Sequence, residues 1–299
     1  MLTVTRFELL ECILLYLDAQ AVKGIRANTL ATTAYYLRPF LQSMARQGVY
    51  DLERVKPQHI RRWLLERREA GLRPQTVRDS YGIARAFWRW CIEQELTTND
   101  PFRKVEPPKV EKQLRRVLTP EQVEQLLQAT EGKHWLRLRD RALLLLLLDS
   151  GLRIAECHSL TAGDARYETV VIRGKGGRRR VVVLSGEVRL ALRKYLHACP
   201  HAPSGDAPLW WGRYGALTLD GLKRAVVKIG MRAGVKVSPH DLRRTCATWA
   251  LRHGMSIEHL RRLLGHSDFR TLQHYISVLE NDLKEAHAQH SPLRALRRR

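Results

Sequence analysis

The sequence predicts a mainly α-helical protein of two domains, a helical bundle followed by an α+β domain that carries a small β-hairpin. Three observations support this fold class. The chain has 299 residues, which is enough for two hydrophobic cores. Apolar residues recur at three- and four-residue spacing through the first hundred positions, as in amphipathic helices. A stretch rich in proline and charge, VEPPKVEKQLRR, then interrupts that spacing. We therefore place the first domain at 1–104, an interdomain linker at 105–117 and the second domain at 118–299.

The first domain is predicted to hold four to five helices. Its apolar positions form four stretches separated by glycine-containing turns, namely 7–17, 30–44, 60–65 and 77–92. In the fourth stretch Arg78, Arg85 and Arg89 interrupt an apolar stripe that includes Phe87 and Trp88. Because apolar stripes usually face a core, we expect the aromatic side chains inside the bundle and the arginines on the surface, facing phosphate.

The second domain is predicted to begin with a helix and to contain one β-hairpin. Thr119, Pro120 and Gln122 have the spacing of a helix N-cap, a first-turn proline and a capping box. Two β-branched runs flank a glycine-rich turn, which is a hairpin pattern; the runs are 168–173 and 180–184, and the turn is 174–177. Further helices are predicted at 191–196, 219–233, 241–253, 257–264 and from about 269 onward.

The formal net charge of +22 indicates a polyanionic partner. Residues 1–117 hold 21 Lys and Arg against 13 Asp and Glu, and the remainder holds 31 against 17. The excess therefore belongs to both halves, which favours two surfaces that face DNA or RNA. Charge alone leaves open a nucleic-acid enzyme, a ribosomal protein or a membrane-surface protein.

The cysteines and the apolar runs indicate a reduced cytoplasmic protein. Five scattered cysteines with no CxxC pair fit buried thiols better than a disulfide framework or a zinc site. The N-terminal apolar stretch carries acidic residues and lacks a small-residue cleavage site, so we expect no signal peptide. The longest purely apolar run, 142–148, is too short to cross a bilayer.

Six side chains of the second domain stand out by their type, order and local setting, and they are Arg153, Lys175, His240, Arg243, His266 and Tyr275. Arg153 comes just after the glycine that ends a leucine-rich helix, in SGLRIAE. Lys175 lies at the hairpin turn, in GKGG. In SPHDLRR, His240 and Arg243 are three residues apart and therefore share one helix face. In LLGHS a histidine follows a helix stop, and the tyrosine comes nine residues later.

Each of these residues alone is more simply explained as a surface charge, a cap or a half-buried aromatic. The ordered set resembles the tyrosine recombinase family, which includes the phage integrases and the Xer-type recombinases. SGLRIAE is similar to its first arginine box, GKGGRR to its catalytic-lysine hairpin and HDLRRT to its His-x-x-Arg box. LLGHSD and the segment around Tyr275 resemble its second-histidine and nucleophile boxes. The resemblance implies a SAM-like, core-binding N-terminal bundle before a catalytic domain.

The chemistry of phosphoryl transfer gives these residue types a reason. Charge develops on the non-bridging oxygens of the phosphate, and the guanidiniums of Arg153 and Arg243 can fork onto those oxygens. Tyr275 is a weak nucleophile at neutral pH and needs a base, for which His240 is the candidate. Lys175 can protonate the leaving 5′ oxygen. The resemblance further implies that His266 hydrogen-bonds the phosphate or orients the nucleophile.

The expected reaction is site-specific cleavage and rejoining of double-stranded DNA through a 3′-phosphotyrosyl intermediate. It exchanges one phosphodiester for another, so we expect no cofactor, no metal and no ATP. The resemblance implies four protomers on two duplexes, near the nucleoid in the cytoplasm. We expect binding to core sites only, since one bundle precedes the linker.

Two other classes remain open. One is a type IB topoisomerase-like enzyme that relaxes supercoils without joining two sites. The other is a catalytically inactive DNA-binding regulator of recombination. A general RNA-binding protein is a weaker alternative, because no RNA-recognition pattern occurs in the sequence.

Overall fold

A computed structural model of the chain describes residues 8–110, 116–173 and 179–265. The chain forms two compact units, Met1–Gln113 and Leu114–Arg299, whose boundary falls inside the predicted linker. Across the described ranges, no helix combines the length and the apolar character that crossing a bilayer requires.

The first unit contains four α-helices among its described residues, which confirms the predicted helical bundle. They are α1 (Leu9–Val22), α2 (Ala27–Arg46), α3 (Pro57–Glu69) and α4 (Pro74–Glu93). Both α3 and α4 begin with a proline at the first helical position, where a missing N–H costs the helix nothing. A short 3-10 turn, Pro101–Lys104, follows α4.

Aromatic side chains form the core of this unit. The ring of Phe40 packs edge-on against Trp63 and Trp88, with centroids 5.0 and 6.4 Å apart. The Tyr81 hydroxyl donates to the Val105 carbonyl (2.7 Å), and this bond fastens the chain after α4 to the bundle. Val105, the first residue of the predicted linker, is therefore buried in the first unit.

The three arginines of α4 are exposed, while the aromatic residues between them are buried. Arg89 makes a surface pair with Glu93 at 3.4 Å. The predicted division of α4 into a core stripe and a cationic surface is thus confirmed.

The second unit contains seven α-helices and two β-hairpins among its described residues. The helices are α5 (Pro120–Gln128), α6 (Trp135–Ser150), α7 (Ile154–His158), α8 (Gly186–Ala198), α9 (Leu219–Ala233), α10 (Pro239–Arg252) and α11 (Ile257–Leu264). The strands are β1 (Thr169–Arg173), β2 (Arg179–Val183), β3 (Trp211–Gly212) and β4 (Gly215–Ala216). Both sheets are antiparallel pairs, and β1–β2 is the predicted hairpin.

The hairpin has a defined register and one buried face. Thr169 pairs with Val183 at one end, and Arg173 pairs with Arg179 at the other. Val170, Ile172 and Val182 are buried, whereas Val171, Val181 and Val183 are exposed. The alternation is that of a two-residue strand period, so Arg180 shares the inner face with Val182.

Helix α6 lies at the centre of the second unit. Four of its leucines are fully buried, and α8 and α10 pack along it. The same helix buries an ion pair, Arg139 with Asp140 at 2.6 Å, which Arg232 of α9 completes at 2.6 Å. The Arg139 guanidinium also donates to the Trp211 carbonyl (3.0 Å), so this charged cluster is hydrogen-bonded inside the core.

Candidate active site

Arg153 lies at the turn that joins α6 to α7. Gly151 ends α6 in the left-handed region, with a φ of 59°, which residues with a Cβ seldom adopt. Arg153 is the N-cap of α7, and its backbone N–H donates to Glu156 Oε2 (2.8 Å). Its Nη1 donates to Glu156 Oε1 (3.0 Å), while 37% of the side chain stays exposed. One carboxylate therefore orients the guanidinium and leaves part of it accessible.

The Gly151 turn packs closely against two other elements. A Cβ on Gly151 would lie 2.8 Å from Leu264 Cδ2 and 3.1 Å from Cys246 Sγ. Leu264 is the last residue of α11, and Cys246 lies on α10 three positions after Arg243. The absence of a side chain at Gly151 thus lets three of the predicted motifs meet.

Arg243 joins two of these motifs through their backbones. Its side chain is buried, and the residue is 5% exposed. Its Nη1 donates to the Gly151 carbonyl (2.5 Å) and its Nη2 donates to the Leu264 carbonyl (2.8 Å). Because a guanidinium is planar and always charged, these two bonds hold the arginine turn and the end of α11 at a fixed spacing.

His240 lies exposed in the first turn of α10, one turn before Arg243. Ser238 caps this helix, and both its backbone N–H and its hydroxyl donate to Asp241 Oδ2. Asp241 is therefore the N3 residue of a capping box. Although His240 is exposed, the protein around its ring partly desolvates it and lowers its pKa; the charges of Arg244, Arg243 and Arg153 lower this pKa further, against the charge of Asp241. The imidazole is thus held as a neutral acceptor near neutral pH.

Glu156 is a buried carboxylate that two arginines share. Arg180 donates from Nη1 to Oε1 and from Nη2 to Oε2, each at 2.8 Å, and each of these oxygens also accepts a bond from Arg153. Burial by itself raises the pKa of Glu156, but these hydrogen bonds and charges outweigh it and hold the pKa at about 2. The carboxylate is therefore ionised at neutral pH.

Residues 116–282, more than half of the chain, match the phage integrase family. The chain belongs to the phage integrase family. Residues 14–95 match the N-terminal SAM-like domain of phage integrases. This integrase-family chain is 31% identical to tyrosine recombinase XerD of Brucella suis over 291 residues, covering 91% of this chain and 94% of that one. It is 29% identical to tyrosine recombinase XerC of Bacillus subtilis over 287 residues, covering 91% and 93%. The predicted family and enzyme class, the tyrosine recombinases, are confirmed.

Solved structures confirm the fold class of this integrase-family protein. XerH recombinase bound to a palindromic difH substrate matches with a TM-score of 0.73 and 20% identity, covering 89% of this chain and 81% of that one. A lambda integrase dimer bound to a core site matches with a TM-score of 0.72 and 18% identity, covering 91% and 78%.

Three of the six predicted residues of the recombinase lie in the described part, and the structure brings them together. Arg243 donates to the carbonyl of Gly151, two residues before Arg153, and the charges of both arginines lower the pKa of His240. The other three, Lys175, His266 and Tyr275, lie outside the described residues. Their roles stay predictions.

Sequence reasoning missed Glu156 and Arg180 as parts of this recombinase site. Glu156 follows Arg153 at capping-box spacing, which was a usable pattern. Arg180 is the last of three consecutive arginines, and composition does not distinguish it from Arg178 or Arg179. Only the strand period, which places residue 180 on the same face as Val182, points to it.

Proposed function

We propose that this chain is a site-specific recombinase of double-stranded DNA that uses Tyr275 as its nucleophile. The observation that carries the proposal is the arrangement of Arg153, His240 and Arg243. An ordered cationic pair and a neutral imidazole occupy one corner of the second unit, as phosphoryl transfer requires.

The proposed first step exchanges one phosphodiester for another. The Tyr275 hydroxyl attacks a backbone phosphorus, the bond from Oη to phosphorus forms and the bond to the 5′ oxygen breaks. His240 accepts the phenolic proton, and Lys175 supplies a proton to the leaving 5′ oxygen. The product is a 3′-phosphotyrosyl bond and a free 5′ hydroxyl, and rejoining is the reverse reaction.

Arg153 and Arg243 differ in how they serve this step. Arg153 keeps an exposed part that can donate to a non-bridging oxygen, whereas Arg243 is pinned by two backbone carbonyls. We assign to both the stabilisation of charge on the phosphate, and to His266 a hydrogen bond to the same group. A preorganised donor of this kind contributes roughly 10²–10³-fold in rate.

The two units divide the work in this proposal. Residues 1–104 bind the DNA core site through exposed cations such as Arg78, Arg85 and Arg89, residues 105–117 link the units, and residues 118–299 carry the chemistry. A lambda integrase tetramer bound to a Holliday junction is among the matching structures. We propose the same assembly here, four protomers on two duplexes, acting at the nucleoid in the cytoplasm.

Trapping on a suicide substrate tests the proposal. A duplex bound by the full-length protein is first selected from a random library and then nicked beside the cleavage position, so that the released 5′ end diffuses away. Wild type should accumulate a covalent adduct, and Tyr275→Phe should bind the duplex and form none. A binder without activity gives no adduct from wild type, and this result would overturn the proposal. An enzyme that relaxes supercoils but never yields recombinant joints would exclude the recombinase assignment.

A further inference from the structure

Arg180 connects three motifs of the second unit through one guanidinium. It lies on β2, the strand that leaves the segment carrying Lys175. Its two Nη atoms donate to Glu156, which also binds Arg153, and its Nε donates to the Leu263 carbonyl (3.1 Å). The side chain is 11% exposed. All three nitrogens of Arg180 thus contact groups from α7 or α11.

The end of α11 is shaped to receive this guanidinium. Gly265 has a φ of 64°, and a Cβ at this position would lie 2.8 Å from both Cδ and Nη1 of Arg180. Any side chain there would displace Arg180 or the turn. His266 follows Gly265 directly in the sequence, so the fit sets where the chain leaves α11.

We propose that Arg180 is a positioning residue for DNA cleavage, which acts through Glu156 on Arg153 and at the same time ties β2 to the end of α11. This inference rests on the proposed function. Arg180 itself need not touch DNA. It fixes the carboxylate that orients Arg153, and it anchors two chain segments that lead to Lys175 and His266.

The geometry distinguishes this role from that of a simple charge partner. Lysine could neutralise Glu156, but it offers a single nitrogen and cannot bond both carboxylate oxygens and the Leu263 carbonyl in a planar fork. A misplacement of about 1 Å at a catalytic group costs on the order of 10²-fold in rate. We therefore expect the shape of the Arg180 side chain to matter as well as its charge.

The test compares Arg180→Gln and Arg180→Lys with Arg179→Gln in the full-length protein. Arg179 is the neighbouring residue of β2 and is exposed, so its change removes the same charge from the same strand. On the selected suicide duplex at saturating protein, Arg180→Gln should form the Tyr275 adduct about 10²-fold more slowly than wild type. Arg180→Lys should recover only part of that loss, and Arg179→Gln should stay within about threefold. The Kd for the duplex should change little in all three variants.

A pH profile separates positioning from general loss of structure. Wild type should slow in acid as His240 is protonated; without Arg180, burial raises the pKa of Glu156, so Arg180→Gln should show a further acid fall that wild type lacks. The double variant Glu156→Gln with Arg180→Gln should lack this further fall and keep only the one that protonation of His240 causes. A loss of rate with the pH profile of wild type would overturn the coupling through Glu156.

The failures of the two proposals are distinguishable. If wild type forms no adduct, the proposed function is wrong. If wild type forms the adduct and Arg180→Gln forms it as fast as Arg179→Gln, only the role of Arg180 is wrong. Should Arg180→Gln fail to fold, as judged by circular dichroism, Arg180→Lys carries the test alone, and a rate equal to that of wild type would refute the inference.

Discussion

The two units of this recombinase place their charges in opposite ways. In the first unit the buried polar side chains are Ser43, Ser80 and Thr97, and no charged side chain is buried among its described residues. In the second unit four charged side chains are buried within the described ranges, and they are Arg139, Asp140, Glu156 and Arg243.

The difference fits the division of work that we propose for the two units. Cations that hold a phosphate backbone work from the surface, where counterions can be released. Charges that stabilise a transition state work best when they are ordered in advance and withdrawn from water. Burying charge is costly unless it is paired and hydrogen-bonded. In the second unit the shared carboxylates of Asp140 and Glu156 pair with the buried or partly buried arginines around them, whereas the core of the first unit is aromatic and buries no charged side chain among its described residues.

Removing Asp140 should cause the largest loss of unfolding free energy, and that loss should be confined to the second unit. Asp140→Ala leaves Arg139 buried without its carboxylate, so the second unit should lose roughly 3–5 kcal/mol of unfolding free energy. Hydrogen exchange resolved by peptide should show faster exchange in α6 and α9 and unchanged exchange in α1 to α4. Asp220→Ala is the control, because its exposed pair with Lys223 should contribute less than about 1 kcal/mol. Equal losses of unfolding free energy in Asp140→Ala and Asp220→Ala would show that the buried ion pair does not stabilise the second unit more than an exposed one.

The next effect is the acid sensitivity of the second unit. Because the pKa of Glu156 is about 2 in the folded protein and 4.5 ordinarily, its ionised form stabilises folding by about 3 kcal/mol above pH 4.5. That contribution is lost as the pH falls from 4.5 towards 2. Urea titrations between roughly pH 2 and 6 should show it in wild type, and Glu156→Gln should remove this part of the pH dependence.

The smallest loss of unfolding free energy is expected from a change in the aromatic core of the first unit. Phe40→Leu keeps an apolar side chain but removes the edge-on contacts with Trp63 and Trp88. The first unit should lose about 1–2 kcal/mol of unfolding free energy, equally at low and neutral pH, because no charge is involved. Calorimetric melting at two pH values measures this. A loss that grows in acid would show that the first unit also depends on buried charge.

Sequence patterns were most informative where the determinants are local. The bounds of α9 and α11 agree with prediction because Thr218 and Ser256 cap their starts and glycines end them. The β3–β4 hairpin was not predicted, since strands of two residues are too short to show alternation. Arg153, His240 and Arg243 were found by motif, but their arrangement depends on the long-range bond from Arg243 of α10 to the Gly151 carbonyl.

The interactions that sequence could not reveal are long-range. Arg180 binds Glu156 from 24 positions away and Leu263 from 83 positions away, and nothing local in a run of three arginines singles it out. The shared Asp140 cluster joins α6 to a residue 92 positions later. Such partners are set by how helices pack, and their choice is visible only in the folded chain.

All five cysteines of the chain are buried, and this has a practical consequence. Burial raises the pKa of Cys157 and raises that of Cys246 to about 12, so these thiols are poor nucleophiles in the native protein. Because burial shields all five native thiols from reagents, Tyr214→Cys, at the fully exposed tip between β3 and β4, should be the main site that a maleimide dye labels. The native cysteines would then need no replacement before the protein is labelled for single-molecule fluorescence of strand exchange.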